Sequence, residues 1–128
     1  ETLSLPFAAT LSEGAKAYVY DKLEDDTLVC KEVTQTNNKH GYLVYREAGR
    51  TLTLTSLAGE MKSNVETLTN GLLPNRELMT VSANTRAIYL LQRSASTFRR
   101  AAVGSKLAPF RAYFEQNESR AFLKIRVR

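Results

Sequence analysis

An all-β domain, an antiparallel β-sandwich or alternatively a β-barrel of about ten short strands with at most one short helix, is predicted by three observations. Apolar residues come in short runs, several strictly alternating with polar ones. Turn residues break these runs at intervals of about ten positions. No stretch keeps an extended 3.6-residue periodicity of the kind that an α/β scaffold needs for its crossover helices.

The elements follow in order. Thr2–Phe7 reads as a first strand, stopped at Pro6. Ser12-Glu13-Gly14 makes a turn, and Lys16–Tyr20 follows as a strand. Glu24-Asp25-Asp26 is too polar to be buried, so it turns the chain into Thr27–Val33 and closes a hairpin. Residues 34–40, rich in Thr and Asn, form a loop. Residues 41–47 and 50–55 are expected to make a second hairpin around Ala48-Gly49. In its second arm Leu52 and Leu54 alternate with Thr51, Thr53 and Thr55, which puts one face in a core and the other in water. Gly14 and Gly49 are expected at positive φ, where other residues are strained.

Residues 57–70 are ambiguous. Leu57, Met61, Val65 and Leu68 fall at helical spacing, but the flanking β pattern favours an irregular crossing with at most a turn of helix. Asn70-Gly71 and Pro74-Asn75 punctuate the chain. Strands resume at 78–82, 86–93, 97–100, 110–114 and 120–128. In the last, Leu123, Ile125 and Val127 face one way, and Lys124, Arg126 and Arg128 the other. The 128 residues suit a single domain spanning 1–128. No apolar run approaches the roughly 20 residues of a membrane-crossing helix. The opening lacks a signal-peptide pattern, so the segment is expected to be a piece of a longer product.

The net charge of +5 is unevenly spread. Residues 1–85 carry 8 Lys/Arg against 11 Asp/Glu, a net of −3, and residues 86–128 carry 10 against 2, a net of +8. The basic third offers Arg93, Arg99, Arg100, Lys124, Arg126 and Arg128 as an anion-binding set. The competing account is that these cations are the solvated faces of strands, since they alternate with apolar residues.

Catalysis finds little to work with. A nucleophile needs an adjacent base, yet His40 is the one histidine and Cys30 the one cysteine. His40 sits in a loop, and Cys30 in a strand, as a small core residue. No carboxylate pair stands out by spacing, and no phosphate-cradling glycine motif occurs. Asp21, Glu24, Asp25 and Asp26 lack the glycine and distal glutamate of a calcium loop. The expectation is a non-enzymatic chain without cofactor or metal. Binding surfaces remain. Six Tyr and no Trp make Tyr18, Tyr20, Tyr42 and Tyr45 the candidate glycan-stacking residues. Tyr18 and Tyr20 share a face; Tyr42 and Tyr45 oppose each other, so one of them should be buried. Arg99-Arg100 near Phe98, and Arg111 near Phe110 and Tyr113, resemble single-strand nucleic-acid surfaces only generically, and no specific nucleic acid is expected.

Several segments taken together resemble a known family. Leu3 to Tyr18, with its Leu5-Pro6-Phe7 and Glu13-Gly14 pieces, is similar to the start of β-rich accessory modules in secreted or cell-surface Bacteroidetes proteins. These modules often lie C-terminal to leucine-rich repeats of the surface-adhesin type. Gly41-Tyr42-Leu43-Val44 with Glu47-Ala48-Gly49, Ala87 to Leu91, Leu107 to Phe114, and Arg120-Ala121-Phe122-Leu123 resemble later parts of the same module. The resemblance implies a β-sandwich accessory domain of an exported protein. It implies an extracellular or cell-surface location, a protein or glycan partner, a role in adhesion and no catalytic residues. Arg111 is expected to pair with Glu13 or Glu115 and tie the last strands together.

Overall fold

A computed structural model describes residues 1–49, 51–57, 71–82, 87–92, 97–116 and 120–128. They form thirteen strands and, among the described residues, no helix. The strands are β1 Thr2–Leu3, β2 Ala9–Leu11, β3 Ala15–Glu24, β4 Thr27–Val33, β5 Tyr42–Arg46, β6 Leu54–Ser56 and β7 Gly71–Asn75. After them come β8 Met79–Thr80, β9 Ala87–Leu91, β10 Thr97–Arg100, β11 Lys106–Leu107, β12 Arg111–Gln116 and β13 Phe122–Val127. Nine pair in one sheet in the order β1-β5-β3-β4-β13-β10-β9-β12-β7. The pairs β2–β6 and β8–β11 stand apart.

The large sheet nearly closes on itself. Gly41, just before β5, donates its N–H to the Leu72 carbonyl of β7 (3.1 Å), and Ser4, just after β1, donates to the Phe110 carbonyl before β12 (2.7 Å). The two ends of the sheet thus meet around one core. Each of the longer strands contributes its inward positions: Leu28 and Cys30, Leu43, Leu72, Ala87 and Tyr89, Phe98, Ala112 and Phe114, and Leu123. Alternation along each strand selects these residues, as period-two side-chain direction requires.

Among the described residues, β3 breaks the alternation. Tyr20 pairs with Cys30, and the next pair is Lys22 with Val29, so Asp21 is an extra residue. This bulge reverses the parity. As a result Tyr18, Tyr20 and Leu23 all pack against the same core. The two-residue turn that follows places Asp25 at φ 53, a conformation Asp accepts more readily than most residues. Gly14 at φ 86 and Gly49 at φ 82 take the positive-φ turn positions expected of them.

Four expectations need correction. The second hairpin does not form. Both edges of β5 are occupied, by β3 and by β1, so the arm after Gly49 pairs β6 with β2 instead. The expected first strand, Thr2–Phe7, shortens to Thr2–Leu3 as the chain leaves the ladder ahead of Pro6, and Ala9–Leu11 pairs as a further strand. Residues 71–75 are a strand despite Pro74, which β7 tolerates as the terminal strand of the sheet. Pairing is not wholly antiparallel: β13 lies parallel to β4, from Lys124 beside Thr27 to Val127 beside Cys30. The helical-spacing segment falls, beyond Leu57, outside the described residues, as does Arg93.

Candidate ligand-binding site

One end of the ring is filled. There the Tyr89 hydroxyl accepts hydrogen bonds from the Arg120 backbone N–H (2.8 Å) and the Gln116 amide (3.2 Å), and its ring packs against Phe114. The other end opens into a cavity of about 730 Å³. Its floor is aliphatic: Leu43 of β5, Leu91 of β9, and Ile125 and Val127 of β13. Tyr18 and Tyr45 stand on one wall. Glu1, Gln92, Lys106 and Arg111 bring polar groups to the rim, with Leu107 and Ala108 beside them.

The exposure of two residues defines this opening. Tyr45 and Val127 share the parity of the core residues Leu43 and Leu123, so both point inward. Yet they are 56% and 48% exposed. Inward-pointing side chains that remain wet mark an unfilled interior.

The rim cations are arranged from the strand ends. Arg111, first residue of β12, donates to the Thr2 carbonyl (3.1 Å) and lies 3.8 Å from the Glu1 carboxylate. Arg46 lies 3.8 Å from that same carboxylate. The expected partners Glu13 and Glu115 are therefore replaced by Glu1, because β1 crosses beside the start of β12. Lys106 is exposed, and among the described residues no carboxylate pairs with it.

The four candidate tyrosines separate. Tyr18 and Tyr45 meet at the cavity, whereas Tyr20 packs on Phe114 with ring centroids 5.3 Å apart. Tyr42 is 2% exposed on the opposite face of β5, and its hydroxyl accepts the Asn37 N–H at 2.9 Å. Burial raises the Tyr42 phenol above its usual range and does the same for Tyr20.

The anion-binding candidates disperse as well. Lys124 reaches Asp26 (3.8 Å), Arg126 reaches Glu24 (2.6 Å) and Arg128 reaches Asp21 (2.5 Å). Three of the four carboxylates weighed above as calcium ligands, Asp21, Glu24 and Asp26, are thus the partners of the cations on β13. Hydrogen bonds from Lys22 and then Arg126 hold the Glu24 carboxyl below the ordinary carboxylate range. Arg99 and Arg100 remain exposed on β10.

The nucleophile candidates do not meet either. Cys30 is fully buried, and burial, reinforced by the Asp21 charge, pushes its thiol up to about 12. His40 stands edge-on to Tyr42 at 6.3 Å. Neither lines the cavity. Sequence reasoning missed the floor and the rim. Strand alternation orients Ile125 and Val127, but nothing in a single strand says which end of a ring stays open. Among the described residues no helix is long and apolar enough to cross a membrane. No protein-family model, no curated protein and no solved structure matches this chain.

Proposed function

We propose that the chain is a non-catalytic interaction module of a secreted or cell-surface bacterial protein, serving adhesion, and that it meets its partner at the open mouth of its barrel. The observation that carries this reading is the cavity between β5, β9 and β13, with Tyr45 and Val127 pointing inward yet half exposed. A cavity of about 730 Å³ falls within the roughly 300–1,000 Å³ of small-molecule sites. An accessory module is favoured over an enzyme by the protonated, buried Cys30 and by a cavity lining that includes neither Cys30 nor His40. The segments that resemble exported adhesin modules supply the proposed location.

The test presents the purified chain to arrayed glycans and amphiphiles at low and at physiological salt, beside a Val127→Lys variant that fills the mouth. Saturable binding that resists salt, disappears in the variant and leaves the bound compound chemically unchanged is the expected result. Binding that ignores the variant moves the functional surface elsewhere, and a turned-over compound overturns the non-catalytic reading. Salt-resistant glycan binding that also falls on Tyr45→Ala would make Tyr18 and Tyr45 a sugar platform.

A further inference from the structure

We infer that the mouth binds an amphipathic carboxylate, a medium-chain acyl group whose tail enters the barrel and whose head stays at the rim. This rests on the mouth being the binding surface. The floor selects the tail. Leu43, Leu91, Ile125 and Val127 present aliphatic carbon and no hydrogen-bonding side chain. A sugar pressed against them would bury hydroxyls without partners, which is costly, whereas methylenes gain from leaving water.

The rim selects the head. Two cations, Lys106 and Arg111, face one carboxylate, Glu1. Arg111 is engaged with Glu1 and the Thr2 carbonyl, while Lys106, exposed on β11, has no carboxylate among the described residues. An anionic head at the rim completes that charge balance with a charge-assisted hydrogen bond. A cationic head would meet like charge at both positions. Tyr18 and Tyr45 suit the boundary, each with an apolar ring and a polar tip.

Titration calorimetry with octanoate, decanoate and dodecanoate, each below its micelle concentration, tests this on the intact chain. One-to-one binding should tighten about tenfold for each two-carbon extension. Lys106→Glu, a surface change that leaves the fold intact, should weaken dodecanoate about tenfold and leave dodecanol unchanged. Ile125→Trp should abolish both by filling the floor. Val127→Trp does so from a half-exposed position if the Ile125 variant misfolds. Equal affinity for dodecanoate and dodecanol, or indifference to Lys106→Glu, would overturn the assigned head group. No carboxylate binding together with mouth-dependent glycan binding would overturn the acyl ligand and leave the mouth as the site. Absence of any mouth-dependent binding would remove both.

Discussion

A Cβ at position 41 would overlap the Ala112 side chain and stand 2.8 Å from the Leu73 carbonyl oxygen. Gly41 therefore permits the closest approach of β5 to the strands that meet it across the seam. Gly41→Ala should destabilise the chain by about 1–3 kcal/mol in urea titrations. Adding Ala112→Gly should restore only part of that, because the Leu73 carbonyl remains in the way. Cys30 makes a second prediction at this scale. Its folded thiol keeps its proton to about 12, while the unfolded thiol loses it near 9. Between these values the unfolded state binds fewer protons, so stability falls as pH rises, by about 1.4 kcal/mol per unit from this group. Denaturant midpoints from pH 8.5 to 10 should drop more steeply in the native chain than in Cys30→Ala. A thiol reagent at neutral pH should find Cys30 only after unfolding.

Among the elements, β3 depends on one extra residue. Inserting an alanine between Lys22 and Leu23 would shift the parity once more and turn Leu23 from the core to the solvent, at about 1.5–3 kcal/mol for that side chain alone. Asp21→Asn keeps the bulge and removes only the charge opposite Arg128, and should cost about 1 kcal/mol or less. Thermal melts of the two variants separate register from charge. The same element shows what the sequence can and cannot disclose. The hairpin turn at Asp25 and Asp26 is legible because two acidic residues cannot be buried between apolar runs. The inward set of β13 is legible because Leu123, Ile125 and Val127 alternate without interruption. The bulge is not: Tyr18, Tyr20 and Leu23 follow no single period, and only the pairing with β4 explains why all three turn inward. Nor is the partner of β6 legible, since alternation orients a strand without naming its neighbour.

Over the whole molecule, folding offsets part of a charge asymmetry that the chain carries from end to end. The acidic hairpin near the start and the basic strand at the finish lie side by side, joined by the pairs Asp21–Arg128, Glu24–Arg126 and Asp26–Lys124. Retention on a heparin column should accordingly be weak in the native chain. It should rise when Glu24→Gln and Asp26→Asn release Arg126 and Lys124. Strong, unaltered retention in both forms would place a polyanion surface outside these pairs, with Arg99 and Arg100 the first residues to replace. The candidate site belongs to this scale too, and that is why so little of it can be read from the sequence. Its floor and rim come from β1, β3, β5, β9, β11, β12 and β13, and only closure of the ring assembles them.

The parallel pairing of β13 with β4 has a consequence for the order of events during synthesis. β4 is among the first long strands to leave the ribosome, and its free edge stays unsatisfied until residues 122–127 arrive. Antiparallel neighbours can zip from a nearby turn, but this ladder must wait for a contact spanning most of the chain, which is slow. A product cut short before Phe122 would leave β4 and β10 with unpaired edges and bare the core around Leu28 and Phe98. Such a species is prone to aggregation and open to proteases. The core between β4 and β10 is therefore covered only once residues 122–127 have been made.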